Sequence, residues 1–328
     1  MTLAMQPDIA FGPVPSRRLG RSLGINNIPP KACSYSCIYC QVGRTLKQEI
    51  EPRSFYSPQT ILRIVQIQVE AARRRQEVID YLTFVPDGEP TLDAHLGDTM
   101  DLLRPLGIRI AVISNSSLIW REEVQAVLHK ADWVSLKVDS VNEEHWRRIN
   151  RPQAQLSLPQ ILRGIEHFAR HYQGQLCTET MLVADINDQP ASVSAVAQFL
   201  AQIKPHTAYL AIPTRPPAEV EVRAPTEAVI NRAYQQLEAE LPAVEYLIGY
   251  EGNAFAFSGD VEQDLLSISA VHPLREEAVK DLLARAKVGW PVVQQLLAEG
   301  KLKQVEFAGH CFYVRAFHAM NEPANVEI

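Results

Sequence analysis

The sequence predicts an α/β chain of six βα units, followed by a small unit of helices and a hairpin. Three observations predict it. From Arg21 to about Leu241, short β-like runs alternate with helical ones, the pattern of parallel strands joined by helical crossovers. The 328 residues are 46% apolar and 21% charged, which supports a large core in an ordinary globular chain. Past about residue 260 the alternation gives way to helix, break, helix and hairpin signals. Six parallel units suit either an open doubly wound sheet or a partly closed barrel, and periodicity does not separate them. Both place ligands at the carboxyl ends of the strands.

The strands are read at 21–26, 81–85, 108–113, 133–138, 176–183 and 207–212, with helices between them. The first helix carries the clearest signals: Ser57 to cap it, Pro58 for the first helical position, and an apolar stripe of Ile61, Val65, Val69 and Ala72. Gly107 ends the second. Residues 246–260, with glycines and aromatics, read as β-rich packing. Residues 274–286 read as helix, Gly289-Trp290-Pro291 as a break, 292–299 as a second helix, and 305–317 as a hairpin turning at Ala308-Gly309. Helix, turn, helix and hairpin resemble a winged helix. The expected division is 1–260 for the βα domain, 261–317 for the winged-helix-like domain, and 318–328 for a polar, frayed tail.

Composition narrows the function. A formal net charge of -6 argues against a generally basic surface made to coat nucleic acid. No run approaches the ~18 apolar residues of a membrane helix, and the start lacks a charged and then greasy leader, so a cytoplasmic protein with no membrane partner is expected. Five cysteines, three of them clustered, make a poor disulfide framework and a good metal-binding one in a reducing compartment.

The cluster is Cys33-Ser-Tyr-Ser-Cys37-Ile-Tyr-Cys40, a CxxxCxxC loop just beyond the first strand. So short a loop can aim three thiolates into one pocket. A cluster of four irons normally takes four cysteines, so here one iron would lack a protein ligand and stay open to a cofactor or substrate. Structural zinc is the competing reading. It wants a fourth ligand, usually from a second Cys or His pair, and none lies nearby in sequence.

Cys33, Cys37 and Cys40, with the aromatic Tyr39 before the last cysteine, resemble the signature of the radical S-adenosylmethionine (SAM) superfamily. The resemblance implies a partial (β/α)6 TIM-like barrel, a 4Fe-4S cluster on the three cysteines, and SAM chelating the unique iron through its amino and carboxylate groups. It implies reductive cleavage of SAM to methionine and a 5'-deoxyadenosyl radical, hydrogen abstraction from a substrate, and an electron donor such as flavodoxin or ferredoxin. Pro15-Ser16-Arg17-Arg18-Leu19-Gly20 and the overall layout are similar to the wyosine-synthase-like branch, whose members modify guanosine in transfer RNA. An RNA or nucleotide substrate follows from that likeness. The chain departs from the branch in having no second cysteine cluster and in its C-terminal unit.

Polar residues at the strand ends supply the remaining candidates. Gly88-Glu89-Pro90 after the second strand looks like the superfamily's glycine-glutamate motif, which receives the amino group of SAM; by itself it would read as a turn. Ser114 and Asn115 end the third strand and could bond a ribose or carboxylate, whereas Ser116 and Ser117 equally suit a helix cap. In the fourth strand Ser135, Lys137 and Asp139 alternate with apolar residues. A polar face in a parallel sheet suggests a lumen that holds cofactor or substrate, with Lys137 and Asp139 as the catalytic candidates, although a structural Lys137–Asp139 ion pair reads as well. Glu179, Asp185, Thr214, Arg215 and the arginines 17, 18 and 21 are weaker candidates for substrate contact. Cys177 and Cys311 are isolated in apolar strands, as buried structural thiols are.

Two other function classes fit the same residues: an activase acting on a partner protein, and an iron-sulfur regulator reading DNA through the C-terminal unit. The regulator needs a basic recognition helix. Residues 292–300 carry Gln294, Gln295 and Glu299 with no arginine, and residues 265–317 hold seven basic against five acidic groups, so no specific DNA binding is expected.

Overall fold

The computed structural model describes residues 9–247, 260–271 and 273–316. Its main sheet has eight strands in strict chain order: β1 (Ala10–Ser16), β2 (Gly20–Ile25), β3 (Tyr81–Phe84), β4 (Arg109–Ser114), β5 (Trp133–Lys137), β6 (Gln175–Met181), β7 (Thr207–Ala211) and β8 (Val244–Leu247). β2 to β8 are parallel, and β1 pairs antiparallel with β2. The sheet curls into a half-barrel. All six expected strands are present, each within two residues of its expected bounds.

Two strands add to the expectation. β1 carries Pro13 and Pro15 within seven residues, a composition that argues against a strand wherever both edges need a donor. Its place at the sheet edge removes that demand. β8 is four residues long, too short to signal itself through alternation. The rest of the expected β-rich stretch, 248–259, and the tail from His318 lie outside the described residues.

Helices cover the outer face. α1 (Pro58–Arg74) starts as its sequence dictates: the Ser57 hydroxyl accepts the Thr60 N–H at 3.2 Å, and Ile61, Val65, Val69 and Ala72 are buried against the sheet. α2 (Leu96–Leu103) runs into a short turn ended by Gly107 at φ 71°. α3 (Glu122–Leu128), α4 (Glu143–Asn150), α5 (Leu158–His171), α6 (Pro190–Ile203) and α7 (Glu227–Glu238) follow in the crossovers. Their apolar faces and the outward strand residues, such as Leu82, Val112, Val134 and Leu210, form one large core.

The inner face is filled at its base. The tip of the β1–β2 hairpin folds under the half-barrel and inserts Leu19 among Tyr81, Ala111, Trp133, Cys177 and Tyr209, contributed by β3 to β7. Gly20 makes the fold-back possible, since at φ 64° a Cβ would lie 2.4 Å from the Asp80 carboxylate that accepts the Arg21 N–H. The lumen is thus plugged at one end by apolar side chains.

Beyond this sheet, α8 (Val261–Val271), β9 (Leu274–Arg275), α9 (Glu276–Ala286), α10 (Pro291–Ala298), β10 (Leu302–Phe307) and β11 (His310–Arg315) form a three-stranded sheet with helices. The hairpin turns at Ala308 and Gly309, as expected, and both take positive φ there. Leu274 and Arg275 pair with Tyr313 and Phe312 and so leave the helix expected from 274. These elements have a separate core, from Leu265 through Leu282 and Leu296 to Tyr313, which meets the main sheet at Val14 of β1. Among the described residues no helix is long and apolar enough to cross a membrane.

Candidate active site

The cysteine loop leaves β2 and is tied down from three sides. Ala32 O accepts from Glu89 N at 2.9 Å, Ser36 N donates to Asn150 O at 3.0 Å, and Ile38 N donates to Ile149 O at 2.9 Å and its carbonyl accepts from Glu219 N at 3.1 Å. Gly88 has no room for a side chain. A Cβ there would stand 2.0 Å from Ala32 O, so glycine lets the β3 turn press against the backbone that leads into Cys33.

Cys33, Cys37 and Cys40 then line one cavity of about 310 Å³ at the carboxyl end of the half-barrel. Its volume suits a small-molecule site. Tyr39, Gly88, Ser114, Asn115 and Lys137, all singled out by sequence, line the same cavity, as do Glu179, Thr214, Arg215, Arg17 and Arg18. Glu89, Pro90, Ser135 and Asp139 are absent from its lining, and Asp185 lies outside it in an exposed pair with Arg223. Among the described residues no group of three His, Cys, Asp or Glu side chains converges on a single ion.

Glu89 stands behind that wall. One carboxylate oxygen accepts from Thr91 N at 3.1 Å, Thr91 Oγ1 at 2.6 Å and Ser114 Oγ at 2.8 Å, and the other from Asn115 N at 2.7 Å. Burial pushes its pKa up, and these donors pull it part of the way back. Glu89 therefore joins the ends of β3 and β4 and sets Ser114 and Asn115 at the cavity. Ser135 is buried at the lumen face, with an Oγ that finds no hydrogen-bond partner among the described residues.

Lys137 does not pair with Asp139. Its Nζ meets Glu179 Oε1 at 2.5 Å, because the β5–β6 register sets these two residues opposite each other. Arg18, from the hairpin tip, pairs with the other oxygen of Glu179 and lies 6.0 Å from the Tyr209 ring. Burial would raise the Glu179 pKa, yet the Lys137 and Arg18 charges pull it down to about 2. Burial would lower that of Lys137, and the Glu179 and Asp139 carboxylates raise it. The pair is charged at neutral pH.

Asp139 is consumed by structure. Its Oδ2 accepts from Tyr39 OH at 2.5 Å and Asn150 Nδ2 at 2.7 Å, and its Oδ1 from Met181 N at 2.9 Å. It borders a second void of about 20 Å³, shared with Lys137, Trp146 and Asn150, room for one water.

Three residues at the site escaped sequence reading. Asp87 is buried at the cavity with its pKa pushed up to about 8 by burial, moderated by the Lys31 charge. Lys31 Nζ reaches Cys40 Sγ at 3.7 Å, and Asn150 Nδ2 reaches Cys37 Sγ at 3.5 Å. Asn150 sits at the end of a helix 113 residues from Cys37, so no local signal marks it. Lys31 and Asp87, each beside a motif, were open to notice.

The donor set fits an iron-sulfur cluster. Three thiols of one short loop line a single cavity, and each sulfur has an N–H donor beside it: Asn115 Nδ2 at 3.5 Å from Cys33, Asn150 Nδ2 at 3.5 Å from Cys37 and Lys31 Nζ at 3.7 Å from Cys40, groups suited to anionic sulfur. Residues 27–194 match the radical SAM superfamily. The chain belongs to that superfamily. It is 47% identical over 309 residues to a UPF0026 protein of Methanocaldococcus jannaschii, covering 94% of this chain and 96% of that one. The half-barrel is similar to a radical SAM methyltransferase from Sphaerobacter thermophilus, at a TM-score of 0.52 and 16% identity over 69% of this chain and 66% of that one. It is also similar to SuiB of Streptococcus suis bound to SAM, at a TM-score of 0.51 and 11% identity over 68% and 49%. As a radical SAM superfamily member it is an iron-sulfur enzyme that uses a 4Fe-4S cluster and SAM, and such enzymes need an electron donor.

Proposed function

We propose that this radical SAM enzyme holds its cluster on Cys33, Cys37 and Cys40, takes SAM against Gly88, Ser114 and Asn115, and abstracts hydrogen from a substrate seated towards Lys137. One observation carries the reading: the three thiols and the Lys137–Glu179–Arg18 group line the same cavity at the carboxyl end of the half-barrel. When bound, the cluster and SAM supply one-electron cleavage of the sulfonium and the means to attack an unactivated C–H bond.

The chain's own residues bind, orient and exclude water. Leu19 and Tyr209 seal the base of the lumen. Glu89 fixes Ser114 and Asn115, and Asp139 fixes Tyr39 and Asn150, so that the groups at the cavity are held in place by groups behind it. Lys137 keeps its proton and offers a cation to a substrate carbonyl, carboxylate or phosphate. Among the described residues that line the cavity, Arg17, Arg18, Lys31, Lys137 and Arg215 outnumber Asp87 and Glu179, which supports an RNA or nucleotide substrate. The separate core of 261–316 supports a second domain of winged-helix-like order that serves the barrel, a partner or the substrate. A reducing, cytoplasmic setting with a flavodoxin or ferredoxin as donor suits five free cysteines.

The test is anaerobic reconstitution with SAM and dithionite. Formation of 5'-deoxyadenosine and methionine is the expected result, followed by a screen of RNA and cell extract for a product that requires the enzyme. A reconstituted, cluster-containing protein that never cleaves SAM would remove this reading.

A further inference from the structure

Each cysteine sulfur of the cavity has its own N–H donor, and the donors come from three different parts of the chain. Asn115, at the end of β4, points Nδ2 at Cys33 Sγ across 3.5 Å. Asn150, the last residue of α4, points Nδ2 at Cys37 Sγ across 3.5 Å. Lys31, two residues ahead of the cysteine loop, brings Nζ to 3.7 Å from Cys40 Sγ.

The three are held for this. The second amide hydrogen of Asn115 goes to Ser34 Oγ at 3.1 Å, and its carbonyl accepts from Ser117 N at 2.9 Å. The second amide hydrogen of Asn150 goes to Asp139 Oδ2 at 2.7 Å. Lys31 Nζ is anchored on Gly43 O, and Lys31 takes a left-handed φ of 68°. Both amides are thus oriented by their other bonds, and the lysine is tethered at the same loop as its sulfur.

We propose that Lys31, Asn115 and Asn150 are positioning residues that set the reduction potential of the cluster, one donor to each thiolate. The proposal rests on the cluster assignment made above. A hydrogen bond to a ligating sulfur withdraws charge from the cluster and favours the reduced form, which carries one more electron. Three donors raise the potential together, and Lys31 contributes most because it brings a full positive charge. Two neutral amides and one cation make the three donors unequal, the cation facing the sulfur of Cys40.

The test is a mediated redox titration of the reconstituted full-length protein without SAM, followed by the electron paramagnetic resonance signal of the reduced cluster. Lys31→Met is expected to shift the midpoint to a more negative potential than wild type, and Lys31→Arg to return it towards wild type. Lys31→Gln makes the same subtraction of charge should the Met variant not assemble. Asn115→Ala and Asn150→Ala are expected to shift it in the same direction by less. Midpoints equal to wild type in Lys31→Met or Lys31→Gln, at full iron content, overturn the proposal. A wild-type protein that binds no cluster overturns the cluster assignment instead.

Discussion

Arg18 and Glu179, 161 residues apart in sequence, form an ion pair inside the half-barrel. Lys137 takes the other oxygen of the same carboxylate, so one buried anion holds two cations from separate elements. Removing it takes from Arg18 and Lys137 the carboxylate they share and leaves Lys137 the weaker pull of Asp139. Glu179→Gln is expected to cost about 3–5 kcal/mol of stability at neutral pH, read from urea unfolding. An unchanged midpoint would show that the pair stabilises nothing.

The same group gives a pH signature. Its folded pKa of about 2 lies below the ordinary 4.5, so the folded state favours the carboxylate. The stabilisation is fully present above pH 4.5 and is lost as pH falls from 4.5 towards 2, by about 1.4 kcal/mol per unit at the steepest. Stability against pH in wild type and Glu179→Gln should converge across that window; parallel curves would contradict the assignment.

Cys33→Ala, Cys37→Ala and Cys40→Ala are each expected to abolish the 4Fe-4S cluster, whereas Cys177→Ala and Cys311→Ala keep it. Cys177 is packed in the plug beneath the cavity, and Cys311 belongs to the hairpin of the second core. Iron and sulfide content of anaerobic preparations decides it. Equal loss in all five, or zinc in the native protein, would refute the cluster assignment.

Glu89→Ala removes the acceptor of four hydrogen bonds at the ends of β3 and β4. Loss of about 1–3 kcal/mol of stability is expected, together with weaker SAM binding as Ser114 and Asn115 lose their support. Asn115→Ala should weaken SAM binding with a smaller effect on stability. Calorimetric SAM titrations that match wild type in both would take these residues out of the SAM site.

The intact protein is expected to retain duplex DNA only weakly and to release it with modest salt. The surface of α10 offers Gln294 and Gln295 and no arginine, and Glu299 pairs with Lys301. Nanomolar, sequence-dependent binding at physiological salt would instead favour a regulator.

Local signals made most of the frame legible. Ser57, Pro58 and the Ile61 stripe specify α1 without help from the rest of the chain, and six strands of apolar residues between helices leave few other topologies. Cys33, Cys37 and Cys40 were legible because their spacing is itself the chemistry. The partner of Lys137 was not. Alternation continued past the end of β5 points to Asp139, two residues on from Lys137, whereas register across strands brings Glu179, and register is a property of the assembled sheet. β1 was hidden by Pro13 and Pro15, whose cost vanishes at a sheet edge. The Asn150 contact to Cys37 depends on where a distant helix stops, which no local run of residues near the cysteines records.

The strict β1-to-β8 order has a consequence for synthesis. Each new strand can add to the one before it as the chain leaves the ribosome, so the sheet can grow without waiting for distant segments. The hairpin tip is different: Leu19 and Arg18 emerge first, yet Trp133, Cys177 and Glu179, which receive them, are made more than a hundred residues later. Until then a nascent chain carries Leu19 and Tyr81 uncovered, and ribosome-stalled chains ending before Glu179 should be markedly more susceptible to proteolysis than those extending past β7.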